Sequence, residues 1–239
     1  FVAALWTGYF NGIAKTNQAL KALETAKLDE DLKLRYQAEV RFFRGYYYFN
    51  LVRWFGGVPK VLKVPLDAYE ANNDPVYQTR ATPDEIYALI IEDLTFAKEN
   101  LLIKGVMPVG RVTKGTATAM LAKVYLTRKN WQEAYTLSQE VISSGSYSLL
   151  PDYSEIWRQV GDRSNEAIFE VQTGVYNNSD YGVPNYCVWQ GPRVGGLQGW
   201  TDLGFGFNSP SQNLVNDYEA GDKRKESTII FIDQSPQHV

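Results

Sequence analysis

Cysteine and histidine are almost absent from this chain. Its single cysteine, Cys187, excludes an internal disulfide and reads as a small buried hydrophobe. Its single histidine, His238, stands near the end of a polar tail. No His/Cys cluster for a structural zinc can be assembled from these two, and a Ser-His-Asp triad would hang on that tail residue. No apolar run approaches the roughly 18 residues of a membrane helix. Neither sign of charge dominates, and a net charge of −3 supplies no broad field for nucleic acid or anionic lipid. The spacing of a calcium loop is missing, since Asp217, Glu219 and Asp222 are only loosely grouped. The chain starts at Phe1 inside a helical pattern, with no basic leader and no cleavage site, and it trails off after Phe231. Both ends are expected to be truncations of a longer protein.

What the chain has in quantity is apolar and aromatic surface. Across 239 residues, 44% are hydrophobic and 21% charged, which is enough to bury a substantial core. Aromatic residues reach 14%, with sixteen Tyr and six Trp. Many of the Tyr and Trp lie outside any helical period, which points to an aromatic-lined surface in addition to a core.

The first 145 residues read as helical pairs. Residues 3–26 carry Leu5, Tyr9, Ile13, Ala19, Leu20 and Leu23 at helical spacing, and residues 30–55 carry Leu34, Ala38, Phe42, Gly45, Phe49 and Val52 on one stripe. A break near 27–30 predicts an antiparallel hairpin, and Gly56-Gly57 with Pro59 stops the second helix. Gly45 fits a close helix–helix contact. Tyr46 to Phe49 cannot all face one way and should serve two packing surfaces. Trp54 and Phe55 are expected to cover the helix end as core. Arg41 and Arg44, three residues apart, either clamp an anion or pair with acids across a helical interface. Residues 58–82 show no helical period. Thr82-Pro83-Asp84-Glu85 then has the form of an N-cap, a first-turn proline and first-turn acids, opening a helix with Ile86, Leu89, Ile90, Asp93, Leu94 and Ala97 on its inner face.

Thr113 is expected to cap the next helix, to about Arg128, and Trp131–Ser143 to be its partner, with Trp131 packed on the hairpin. Leu121-Ala122, Tyr125 and Ala134 match part of the tetratricopeptide pattern, in which small residues let paired helices pack closely. Ser138 and Val141 stand where that pattern usually has a large aromatic residue and an alanine. From Tyr147 onward the helical period is lost except at 153–159. Residues 167–172 alternate like a strand. Residues 174–208 are rich in Gly, Asn, Tyr and Trp, too long and too aromatic for a plain linker. Ser209-Pro210-Ser211 opens a short helix with Leu214, Val215 and Tyr218 on one face, followed by a polar turn at 221–225 and a strand at 228–232. The predicted class is mainly α, with tetratricopeptide-like hairpins over 1–145 and a loop-rich region with a few short strands over 146–239.

Four stretches, in order, resemble the SusD/RagB family of outer-membrane nutrient-binding lipoproteins. They are Trp6, Tyr9, Ile13 and Asn17; the block AEVRFFRGYYYFNLVRWFGGVP at 38–59; TPDEIYALIIEDLTFAKENL followed by GRVTKGTATAMLAKVYL; and SPSQNLVNDYEAGDKRKESTI at 209–229. In the last, Asp222-Lys223-Arg224 lacks the proline of the family's turn. The resemblance implies a cell-surface protein, lipid-anchored to the outer membrane outside the stretch present here, that captures oligosaccharides or, in some members, peptides. It further implies a SusC-like TonB-dependent transporter as partner, no enzymatic activity and no cofactor.

A sugar site needs exposed rigid aromatic faces for C–H surfaces and amides, acids or arginines for hydroxyls. Tyr181, Tyr186, Trp189 and Trp200, with Asn177, Asn185, Gln190, Arg193 and Asp202, have that composition, and Gly195, Gly196 and Gly199 permit close backbone approach. The structural alternative is that these aromatics pin a long loop. A second candidate surface is the 65–80 excursion with Tyr69 and Tyr77. Two further function classes stay open: a helical-repeat scaffold for a protein or peptide, and a carbohydrate-active enzyme, for which no carboxylate pair stands out.

Overall fold

The computed structural model describes residues 2–172, 174–176, 179–181, 189–190 and 205–229. The chain divides into two units, Phe1–Ser148 and Leu149–Val239.

The first unit is built around one long helix. α1 (Val2–Thr25) and α2 (Glu30–Phe55) form the expected hairpin. Asp29 caps α2 by accepting from the Asp31 and Leu32 amides, and Gly56 ends it at φ 67°, in the left-handed region that favours glycine. α2 packs on α1, on α4 (Pro83–Asn100) and on α5 (Lys114–Thr127). Being covered on several sides, it buries Ala38, Phe42, Tyr48, Phe49, Leu51 and Val52 rather than a single stripe. Tyr46 and Tyr47 are half-buried on the other packing surface. A Cβ on Gly45 would lie 3.1 Å from Leu94 Cγ, so the glycine lets α2 and α4 close up. The inner face of α4 is the one its periodicity predicts, Ile86, Leu89, Ile90, Asp93, Leu94 and Ala97.

α5 pairs with α6 (Trp131–Ser143) as the next hairpin, with Thr113 and Asn130 as caps. Thr82 and Glu85 form a reciprocal capping box at the start of α4. Thr82→Ala is therefore expected to lower stability by about 1 kcal/mol, read as a shift of the urea midpoint at unchanged slope. No shift would mean the Glu85 carboxylate alone satisfies the helix start.

Several expectations fail. Trp54 is 62% exposed, so it is not core, and Trp131, at the start of α6, is equally exposed. α6 turns Ala134, Leu137 and Val141 inward, and Trp131, Tyr135 and Ile142, spaced four and seven residues apart, share a different face. Trp54 lies two residues beyond the buried Val52, on the far side of the helix. The 58–82 excursion is not wholly irregular. It contains α3 (Ala68–Asn73), capped by Asp67, and a 3-10 turn at Pro75–Tyr77 capped by Asp74. Asx caps fix such short turns without any hydrophobic period.

In the second unit, Tyr153–Trp157 and Gln159–Gly161 are 3-10 turns. Residues 167–172 are not a strand. The strands lie just beyond, β1 (Gly174–Tyr176) and β2 (Ser179–Tyr181), paired antiparallel with Val175 opposite Asp180. α7 (Gln212–Asp217) starts at the expected Ser211 cap. α8 (Arg224–Thr228) takes up the last two residues of the predicted polar turn, whose 221–223 part stands as a turn, and the first residue of the predicted strand, whose residues 230–232 lie outside the described residues. Before it, the Arg224 guanidinium and amide hold the Asp222 carboxyl down to about 2.

Candidate functional site

The second unit carries an exposed aromatic platform. Trp189, Phe205 and Phe207 are 51%, 48% and 71% exposed, although each is large and apolar. Their ring centroids lie 5.1, 5.6 and 6.1 Å apart, and the planes are inclined by only 24–37°. Such separations and shallow angles stack the three rings, offset and tilted, into one exposed apolar cluster. The platform is tied together across the chain. The Phe207 amide donates to the Trp189 carbonyl at 3.1 Å, and Asn208 Nδ2 donates to Gln190 Oε1 at 3.3 Å. Gly206, at φ 66°, supplies the turn between the two phenylalanines.

Gln190 and Asn208 thus place an amide rim beside three exposed rings, with donor and acceptor capacity left over on both. An exposed apolar patch with a polar border is the common form of a binding surface. Flat aromatic faces accept weakly polarised C–H groups and the amides accept or donate to hydroxyls, which is the chemistry of a sugar ring.

Of the residues expected to bind, Trp189 stands in the platform and Gln190 on its rim. Tyr181 belongs to β2, where its backbone pairs with Gly174. Trp200, Tyr186, Arg193 and Asn185 lie outside the described residues, as do Asn177, Asp202, Gly195, Gly196 and Gly199. Phe205, Phe207 and Asn208 were not singled out. Their signal was present in Phe-Gly-Phe, two large rings flanking a glycine in a stretch with no apolar period to bury them.

The alternative surface also takes shape, within the first unit. Tyr69 is 76% exposed on α3. Tyr77 lines a cleft of about 250 Å³ between α1 and the segment after α2. Trp6 and Phe10 of α1 form its other aromatic wall, and Gln18 and Lys63 are its polar members. Arg41 and Arg44 do not clamp an anion but meet acids of α4: Arg44 makes two bonds to Asp93, at 2.7 and 2.8 Å, in the interior. Among the described residues no group of three or more His, Cys, Asp or Glu side chains is placed to hold a metal ion, and no helix is long and apolar enough to cross a membrane.

Residues 2–126, about half of the chain, match the model of a SusD-like family whose description is starch-binding associating with outer membrane. SusD-like protein P2 of Formosa agariphila is 30% identical over 236 residues, 95% of this chain and 45% of that protein. The starch-binding protein SusD of Bacteroides thetaiotaomicron is 28% identical over 193 residues, 74% of this chain and 33% of that protein. A laminarin-binding SusD-like protein of known structure superposes with a TM-score of 0.78 at 30% identity, over 94% of this chain and 51% of that one. The chain thus spans about half the length, or less, of the relatives it matches. Helical hairpins in the family's order, matched in sequence over the first unit and in three dimensions over nearly the whole length, leave one assignment: the chain belongs to the SusD/RagB family.

Proposed function

We propose that this chain binds oligosaccharides at the bacterial cell surface without transforming them. The full-length protein, lipid-anchored at the outer membrane, would pass them to a SusC-like TonB-dependent transporter. The observation that carries the reading is the exposed platform of Trp189, Phe205 and Phe207 with its Gln190 and Asn208 rim. Among the described residues three large rings are left in water, and a sugar would cover them. Trp200, Tyr186, Tyr181, Arg193 and Asn185 are proposed as further contacts of the same loop-rich region, spanning 146–239. The relatives support a glycan as ligand, since one is a starch-binding protein and another a laminarin-binding one.

A protein-interaction scaffold has one observation in its favour, the exposed stripe of Trp131, Tyr135 and Ile142 on α6. A repeat scaffold would carry such a stripe on successive hairpins, whereas α4 turns its large apolar residues inward. A peptide in place of a glycan would use the same platform.

Affinity electrophoresis through gels containing laminarin, xyloglucan or starch tests the proposal, with Trp189→Ala and Trp200→Ala run alongside. Retardation by at least one glycan, reduced by either substitution, is expected. The same glycan incubated with the protein should release no new reducing ends; release would make the chain an enzyme. Free migration in all three gels would remove the glycan reading and favour a peptide ligand or a scaffold.

A further inference from the structure

The cleft of the first unit is a cavity the platform does not use. Its walls are set by the fold before any ligand arrives. Val61, on its floor, is held by three hydrogen bonds: the Tyr48 hydroxyl accepts from its amide at 2.7 Å and donates to its carbonyl at 3.0 Å, and Asn17 Nδ2 donates to that carbonyl at 2.9 Å. Trp6 is wedged by Phe55, edge-on at 5.1 Å, and by Phe10 at 4.8 Å, with the Arg80 guanidinium 5.3 Å from its ring centre. Tyr77 has the Lys63 ammonium 5.7 Å from its ring centre, and its hydroxyl is buried with no hydrogen-bond partner. Preformed walls of this kind spare a ligand the cost of ordering them.

The size and charge of the cleft select what it can hold. About 250 Å³ is below the roughly 300–1,000 Å³ of a pocket for a drug-sized molecule, so it suits one or two small rings rather than a long segment. Lys63 at the rim is matched by two carboxylates, Glu70 at 2.6 Å and Asp74 at 2.7 Å. The three charges sum to −1, and both acids are held below the ordinary carboxylate range, Glu70 first by the Leu66 amide and Asp74 first by Lys63. An aliphatic side chain would cut these groups off from water without replacing its hydrogen bonds. An anionic group would meet two carboxylates for one ammonium. Hydroxyls, which donate and accept, fit a rim of ammonium, carboxylate and the Gln18 amide, while C–H faces fit Trp6, Phe10 and Tyr77.

We propose that this cleft is a second carbohydrate subsite, on the helical unit, that takes one or two neutral pyranose rings and disfavours uronate or sulfated sugars. It rests on the reading that the chain binds glycans, and adds a binding place on the first unit.

The test is fluorine NMR of the full chain labelled with 5-fluorotryptophan, whose six resonances are assigned by single substitutions. Laminarihexaose, xyloglucan heptasaccharide and maltohexaose are the neutral probes, and a hexamer of mannuronate is the anionic one. A saturable shift of the Trp6 resonance with a neutral probe is expected. Ala14, exposed on α1 and lining the cleft, offers a variant that fills the site without removing a buried group. Ala14→Phe should weaken the Trp6 response at least tenfold and leave the Trp189 response unchanged, and Gln18→Ala should weaken the Trp6 response about threefold. A Trp189 shift with a still Trp6 overturns the subsite and leaves the glycan reading standing. Stillness of all six resonances with every neutral probe overturns both. A Trp6 shift that survives Ala14→Phe, or one as strong with mannuronate, overturns the subsite or its selectivity respectively.

Discussion

Asp93→Ala is expected to remove about 3–5 kcal/mol from the stability of the helical unit, the largest loss for a single side chain outside the apolar core. The carboxylate is fully buried, and Arg44 meets it with two hydrogen bonds at 2.7 and 2.8 Å. The remaining Arg44 nitrogen donates to Asn17 Oδ1 at 3.2 Å, and Arg41 comes within 3.8 Å from the helix surface. One network thus joins α1, α2 and α4. Removing the carboxylate strands a guanidinium that cannot lose its proton in a place water does not reach, which is why deleting one partner costs more than the pair contributes.

Burial pushes the Asp93 carboxyl above the ordinary range, against the pull of Arg44 and Arg41. The folded chain therefore keeps this proton to higher pH than the unfolded chain does. The contribution of Asp93 is most favourable below the ordinary aspartate range, falls as pH rises through its folded value, and is constant above it. A buried ion pair need not contribute more than apolar side chains of the same size. Asp93→Leu combined with Arg44→Met should recover most of the loss of Asp93→Ala. Urea denaturation of the three proteins decides the matter, and a loss below about 1 kcal/mol in Asp93→Ala would show that the site is hydrated.

Trp189→Ala is expected to weaken glycan binding about thirtyfold, or about 2 kcal/mol, with little change in stability because half of the side chain is exposed. Its ring lies within 5.6 Å of both phenylalanines, so its removal takes away the centre of the apolar face and loosens the other two rings. Phe207→Ala, at 71% exposure the outermost ring, should cost less, and Trp189→Phe should keep part of the affinity. Titration calorimetry with the glycan that retards the protein most strongly gives the numbers. An affinity for Trp189→Ala within twofold of the parent would move the site off the platform.

Helix positions in the first unit were legible because their signals are local. The Thr82 cap and the Gly56 stop are each written within about four residues, and the buried face of α4 follows from period alone. Arg41 and Arg44 were legible only as alternatives, since three-residue spacing cannot show what faces it. Asp93 was visible as a polar residue on an apolar stripe, which is the mark of a buried partner. Trp54 was misplaced because size and apolarity suggested core, while the helix rotation set by its neighbours turned it outward.

Sequence alone determined the class of the fold, the order and limits of the main helices, the family, and Trp189 as a residue of interest. Those follow from backbone caps, 3.6-residue periodicity and motif order, which act along the chain. Tertiary structure decided which acid answers Arg44, that Phe205, Phe207 and Asn208 join Trp189, and that Trp6 and Tyr77 wall one cleft although 71 residues separate them. Each of these is a contact between segments, and its energy depends on the distance and orientation that packing sets, which no single segment encodes.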